Sequence, residues 1–111
     1  MATVEECRQA LHDLAARMAS HAETRGKLDF DRTLACRVPD LETAFHAILA
    51  GGLLTDISDG DDPKAKIALI ANSDELVAMI GGRLDLTRAI ATGQVKIKAN
   101  PFDLLKLRKL I

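Results

Sequence analysis

Lys64-Ala65-Lys66-Ile67-Ala68-Leu69-Ile70-Ala71 is the stretch whose reading decides the fold. Ala65, Ile67, Leu69 and Ala71 fall on one side of an extended chain, and Lys64, Lys66 and Ala68 on the other. A two-residue period of this kind marks a strand with one buried face. Directly after it the period turns helical. Asn72 or Ser73 can cap a short helix, Asp74 to Ile80, with Glu75 suitably placed in its first turn, and Gly81-Gly82 stops it. Asp85 opens a second short helix that runs through Thr92 and ends at Gly93. Gln94 to Ala99 alternates again, Val95 and Ile97 inward and Lys96 and Lys98 outward. Asn100-Pro101 then starts a last helix, Asn as cap and Pro in the first turn.

Toward the N-terminus the same two periods recur. Thr3 and Glu6 have the spacing of a capping box, in which each side chain satisfies a backbone donor of the other residue. Val4, Cys7, Leu11, Leu14 and Met18 follow at helical steps, with Arg8, Asp13 and Arg17 off that stripe; the helix should end between Ser20 and Gly26. In Thr33 to Val38 the positions Leu34, Cys36 and Val38 alternate with Thr33, Ala35 and Arg37, until Pro39-Asp40 interrupts. Ala44 to Ala50 and Leu53 to Ser58 flank Gly51-Gly52, whose freedom at positive φ suits a two-residue hairpin. Asp59-Gly60-Asp61-Asp62-Pro63 reads as a loop. Strands grouped together with helices at the ends predict an α+β fold, one sheet face covered and the other wet.

Composition narrows the function classes. The chain has 111 residues, 48% of them hydrophobic, which is enough for one packed domain. Residues 1–62 carry six Lys+Arg against twelve Asp+Glu, and residues 63–111 carry nine against four, so the halves stand at −6 and +5. A basic half suits an anionic membrane or nucleic acid. Trp and Tyr are absent and Phe occurs three times, however, so bases have few rings to stack on and nucleic acid is not expected as a partner. No apolar run is long enough to span a bilayer, and Met1 to Arg8 lacks the apolar core of a secretion signal. These features predict a cytoplasmic protein with Cys7 and Cys36 reduced.

The polar residues offer little chemistry. Cys36 and His46 are the best available nucleophile and base, yet Cys36 lies on the apolar side of its strand, where thiols are inert. His12 and His21 stand two and a half turns apart, too far to share a metal, and no Cys-x-x-Cys or His-x-x-x-His pair suggests zinc. Asp56, Asp59, Asp61 and Asp62 lack the alternating ligands and distal glutamate of a calcium loop. No catalytic residue, metal or cofactor is expected. The final helix stands out instead: Phe102, Leu104, Leu105, Leu107, Leu110 and Ile111 spread around its circumference, which predicts cover on more than one side.

From Asp62 onward the sequence resembles the sterol carrier protein family of sterol-binding and lipid-transfer domains. The likeness runs through Asp62-Pro63, Ser73-Asp74-Glu75-Leu76, Gly82-Arg83-Leu84-Asp85, Ala89, Gly93-Gln94-Val95-Lys96-Ile97 and Leu104-Leu105-Lys106-Leu107. The element order extends it over nearly the whole chain. Three features depart from the family pattern. Ala99-Asn100 stands where a Gly-Asp pair is common, Ile90 or Ala91 where an aromatic is frequent, and the chain ends Lys109-Leu110-Ile111 rather than in a peroxisomal tripeptide. A stand-alone bacterial, cytoplasmic member fits these differences.

The resemblance implies a five-stranded, mostly antiparallel (mixed) sheet whose helices cover one face and enclose an apolar tunnel. Its implied ligands are sterols, fatty acids, acyl thioesters or phospholipids, bound without catalysis. Carried over by position, the lining comprises Phe45, Leu49, Ile67, Leu69, Leu76 and Met79, completed by Ile80, Ile90, Val95, Ile97, Leu104 and Leu107. Each of these also suits plain core packing. The expected cavity lies between the sheet and the last three helices. Transient contact with anionic membranes through the outward lysines is the expected delivery route. The alternatives are a ligand-free interaction module, dimerising through the last helix or appended to an alkyl sulfatase as this fold occurs elsewhere, and an uncharacterised small enzyme.

Overall fold

The structure, a computed structural model, describes residues 1–20 and 31–108, apart from the side chains of Leu86, Leu104, Lys106, Leu107 and Arg108. Helix α1 (Val4–Ser20) begins at the capping box: the Thr3 amide donates to Glu6 Oε1 and the Glu6 amide to Thr3 Oγ1, both at 3.1 Å. Strand β1 (Arg32–Val38) leads through a single 3-10 turn (Pro39–Leu41) into β2 (Thr43–Ala50) and β3 (Leu53–Asp59). After β4 (Ile67–Ala71) come α2 (Ser73–Ile80), α3 (Leu86–Ala91), β5 (Val95–Lys98) and α4 (Pro101–Arg108).

The five strands form one sheet in the order β3-β2-β1-β4-β5. Three of the four pairings are antiparallel and the central β1–β4 pair is parallel, so the sheet is mixed, as the resemblance implies. Gly51 and Gly52 hold φ of 59° and 75°, the left-handed geometry that lets a two-residue turn match the twist of β2 and β3. The register then slips between His46 and Ile48. Across that slip Asp56 takes a φ of 54°, a left-handed value that the sequence pattern does not announce.

One boundary differs from the sequence reading. The strand begins at Ile67, so Lys64 and Lys66 both precede the sheet. Pro63 and Asp62 explain the shift. The Asp62 carboxylate accepts the Lys64 amide at 3.0 Å and the Asp62 carbonyl accepts the Ala65 amide at 3.1 Å, closing a turn in place of strand pairing. Lys66, next in line, donates its amide to Thr33 Oγ1 at 3.0 Å.

Helices α1, α2 and α3 pack on the sheet face that carries Cys36, Val38, Phe45, Ala71 and Val95. From α1, Cys7, Ala10 and Leu11 enter this core; Leu76 and Ile80 come from α2 and Ala89 from α3. A second cluster, Met18, Ala47, Leu49, Leu54 and Ile67, lies toward the opposite end of the same face. Leu14, Ile57 and Ile97 touch both, so the two clusters form one continuous apolar layer. Polar contacts fix the helices on it. Arg8 forks onto Asp59 of β3, Nε to Oδ1 at 3.1 Å and Nη2 to Oδ2 at 2.7 Å, with its guanidinium carbon 5.9 Å from the centre of the Phe45 ring. Arg17 donates to the carbonyl of Ile80 and so ties α1 to the end of α2.

Candidate functional site

The twelve positions singled out from the sequence fall into three groups. Phe45, Leu76, Ile80 and Val95 are buried in the first cluster, with Leu69, Met79 and Ile97 half-buried against it. Leu49 and Ile67 are buried in the second, which Ile97 also touches. Six of these nine, Phe45, Leu49, Ile67, Leu69, Val95 and Ile97, share one face of the sheet, and Leu76, Met79 and Ile80 meet that face from α2. Ile90 stands apart on α3 with 42% of its surface exposed. The side chains of Leu104 and Leu107 lie outside the described residues.

Strand register explains why the strand residues among the nine converge. Cys36 pairs with Phe45 across β1 and β2, and with Leu69 across β1 and β4; Leu69 in turn pairs with Ile97 and Ala71 with Val95. Paired residues point to the same face, so one register places a row of apolar side chains across four strands. Helix α2 lies over that row because its own start is anchored from a distance. Asp40, in the turn after β1, accepts the Ser73 amide at 2.8 Å on one oxygen and the Ser73 hydroxyl at 2.6 Å on the other. Asn72, one of the two residues expected to cap, makes no side-chain bond there. Those two bonds hold the Asp40 carboxyl below its ordinary range, the Ser73 hydroxyl contributing most. The sequence reading missed this anchor, because a carboxylate 33 residues upstream leaves no local spacing to recognise.

The same register separates the one candidate catalytic pair. His46 pairs with Ala35, one step out of phase with the Cys36–Phe45 pair, so His46 and Cys36 project from opposite faces of the sheet. His46 directs Nδ1 to the Gly60 carbonyl at 2.9 Å. Burial pushes the Cys36 thiol up to about 12, with the nearby Cys7 adding to the effect, which makes it a poor nucleophile. Among the described residues no group of three His, Cys, Asp or Glu side chains is placed to hold a metal ion. No described helix is long and apolar enough to cross a membrane.

Helix α4 carries an unexpected feature. Phe102 and Leu105 are 75% and 58% exposed, whereas Asp103 is 3% exposed and accepts a bond from Arg32 Nε at 2.8 Å. The cover expected on several sides of this helix is thus absent at Phe102 and Leu105, because a carboxylate paired to β1 turns those two residues outward. Beside this ion pair, where β1 begins, lies a concavity of about 490 Å³ lined by Asp31, Arg32, Thr33, Ile48, Lys66, Asn100 and Asp103. A second, of about 410 Å³, lies between the N-terminus and α2, with Glu6, Asp74 and Arg83 among its lining.

No curated protein matches this chain by sequence. Among solved structures, the stereoselective inverting sec-alkylsulfatase from Pseudomonas sp. superposes with a TM-score of 0.66 at 28% identity, over 88% of this chain. This chain spans only 15% of the length of that enzyme. The sterol carrier protein domain 2 of Helicoverpa armigera gives a TM-score of 0.71 at 18% identity, covering 98% of this chain and 89% of that one. The palmitated sterol carrier protein of Aedes aegypti gives 0.69 at 14% identity, covering 98% and 94%. At those last two identities the likeness is one of fold. The model of the SCP-2 sterol transfer family matches residues 7–111, and the chain belongs to that family.

Proposed function

We propose that this domain binds a lipid-like ligand, such as a fatty acyl chain or sterol, between its sheet and helices and passes it on unchanged. The observation that carries this reading is the convergence of nine apolar residues, six from one sheet face and three from α2, in a chain of the SCP-2 sterol transfer family. A chain of methylenes lying there gains roughly 0.8 kcal/mol per buried CH2, so affinity does not require a polar anchor. Leu69, Met79 and Ile97, half-buried at the margin of the first cluster, are the side chains that part to admit it. The experiment is native mass spectrometry of the purified protein, followed by titration with a fluorescent fatty acid. Co-purified lipid, or saturable binding that weakens when Leu76 is changed to a charged residue in a protein that remains folded, is expected. Failure to bind fatty acid, sterol or phospholipid probes overturns the proposal.

Delivery on this reading involves brief contact with anionic membranes through the lysines of the open sheet face, worth about 1 kcal/mol per charge near the surface. Transfer should then run faster to anionic than to neutral vesicles, and the gap should close as salt shortens the Debye length below about 8 Å. Equal rates at low salt leave Lys96 and Lys98 as groups that keep an edge strand soluble.

A second reading has its own support in the 28% identity to the alkylsulfatase. On that view the domain serves beside a catalytic domain, as an interaction module without a ligand of its own. A lipid-free protein that sediments as a stable dimer, or binds a sulfatase catalytic domain, favours it over the first.

A further inference from the structure

The two concavities described above have charged linings, and none of the nine converging apolar residues lines either of them. A lipid that reaches those nine past the described residues has to displace an element, and α2 is held very differently at its two ends. Its start is fixed. Ser73 is fully buried, only Asn72 separates it from β4, and Asp40 grips its amide and its hydroxyl at once. Its end is held by less. Arg17, exposed in the last turn of α1, donates to the Ile80 carbonyl. Among the described residues this is the one side-chain hydrogen bond that ties the end of α2 to another element. Beyond Ile80 come Gly81 and Gly82, both exposed, the latter at a φ of 75° that a side chain would strain. The guanidinium also stands at the carbonyl ends of two helices, where their dipoles favour a cation.

We infer that Arg17 is a positioning residue for ligand entry: its bond to Ile80 latches the end of α2, and lipid passes between α1 and α2 when that bond opens and the helix swings on its Ser73 anchor. The inference rests on the function proposed above and adds the route. Hinges of this kind need only a few residues at the end of an element to absorb the motion, and Gly81-Gly82 supplies them. Met79 and Ile80 lie in the last turn of α2, so the swing lifts them off the apolar layer, whereas Leu76, nearer the pivot, moves less. On α1 the residue after Arg17 is Met18, buried in the second cluster, and one turn back is Leu14, which touches both clusters. The opening therefore leads to the place where the two clusters meet. Because the latch closes again over bound lipid, it governs the rates of entry and exit and leaves the affinity nearly unchanged.

The test compares three variants of the whole chain. Arg17→Met keeps an unbranched side chain and removes its donors, Arg17→Lys keeps the cation, and Asp103→Asn loosens α4 instead. Stopped-flow mixing with dansyl-labelled undecanoic acid reads entry, and displacement of that probe by oleic acid reads exit. Arg17→Met should speed both about fivefold and change Kd by less than about twofold, as expected when one exposed charge-assisted bond is lost from the free and the loaded protein alike. Arg17→Lys should restore most of the native rates. Hydrogen exchange without ligand supplies a second readout. The Gly81 and Arg83 amides, bonded to the Val77 and Ala78 carbonyls, should exchange faster in Arg17→Met, while the Leu76 amide, bonded to the Asn72 carbonyl, keeps its native rate. Unchanged rates in Arg17→Met, a Kd that rises with the exit rate alone, equal acceleration of exchange at Leu76 and Gly81, or faster entry in Asp103→Asn but not in Arg17→Met each overturns the inference. If the unaltered protein does not bind the probe, the proposed function fails and the route with it; binding with rates indifferent to Arg17 rejects the route alone.

Discussion

Cys36 stands mid-strand at the centre of the sheet, 2% exposed, with Cys7 in the same apolar cluster. Desolvation is the first cause of the raised pKa of both thiols; at Cys7 the carboxylates of Asp40, Glu6 and Asp74 raise it further. At pH 8 a thiol with a pKa of about 12 is ionised on the order of once in ten thousand molecules. Both cysteines should therefore resist an alkylating reagent in the folded protein and react fully in denaturant, as mass spectrometry can count. Cys36→Ala should cost about 1–2 kcal/mol and leave lipid binding intact. Asp40 behaves differently because its charge is used. Its folded pKa lies below the unfolded value, so its contribution is fully present above about pH 4 and is lost as pH falls through the lower folded value. Asp40→Ala should lower the melting temperature at pH 7, and the gap to the native protein should narrow only below about pH 4. A gap that stays constant down to pH 2 would show that the Ser73 bonds do not depend on the carboxylate charge.

Helices owe their positions to contacts of different kinds. Among described residues, α1 contributes Cys7, Ala10, Leu11 and Met18 to the core, while α4 buries Asp103. Asp103 and Arg32 are 5% and 35% exposed at their side chains, so the pair is only partly shielded and the full cost of breaking a buried pair does not apply. Asp103→Asn should cost about 1–3 kcal/mol, and its signature should be local. Hydrogen exchange should quicken in residues 101–108 while β1 and β4 stay protected. Uniform acceleration across the sheet is the contrary result, and would make the pair part of the global core.

At the scale of the whole molecule, the two apolar clusters are joined by Leu14, Ile57 and Ile97, none of which is fully buried. One continuous layer should unfold as one unit. Leu14→Ala removes a link and should cost about 2 kcal/mol, toward the low end for such truncations because the site is half-exposed. Melting followed by far-ultraviolet and near-ultraviolet circular dichroism should still coincide. Separate midpoints would instead mean that the clusters are independent units.

The amino-acid sequence by itself determined whatever depends on neighbours a few residues apart. The two periods placed all five strands and the described helices within a few residues, and the Thr3–Glu6 box, the Asp85 cap and the Asn100 cap all form as their spacing requires. Those bonds join a side chain to backbone two or three residues away, so no knowledge of the remainder of the chain is needed. The apolar alternation also marked Ile67, Leu69, Val95 and Ile97 as inward, because a buried face leaves a period-two signature wherever it goes, whereas the other lining candidates came with the family resemblance. Other features were decided by the tertiary structure alone. Which strands lie side by side, and in particular the parallel β1–β4 pair, depends on packing across 30 residues or more. That register sent Cys36 and His46 to opposite faces and gathered Phe45, Leu69 and Ile97 into one row. Long-range polar contacts belong to the same class: Arg8 on Asp59, Asp40 on Ser73 and Arg32 on Asp103 join residues 33 to 71 positions apart. A charge carries no periodicity that names its partner, so only the folded chain, by bringing the two groups within 3 Å, could reveal that α4 turns a carboxylate inward and leaves Phe102 and Leu105 to the solvent.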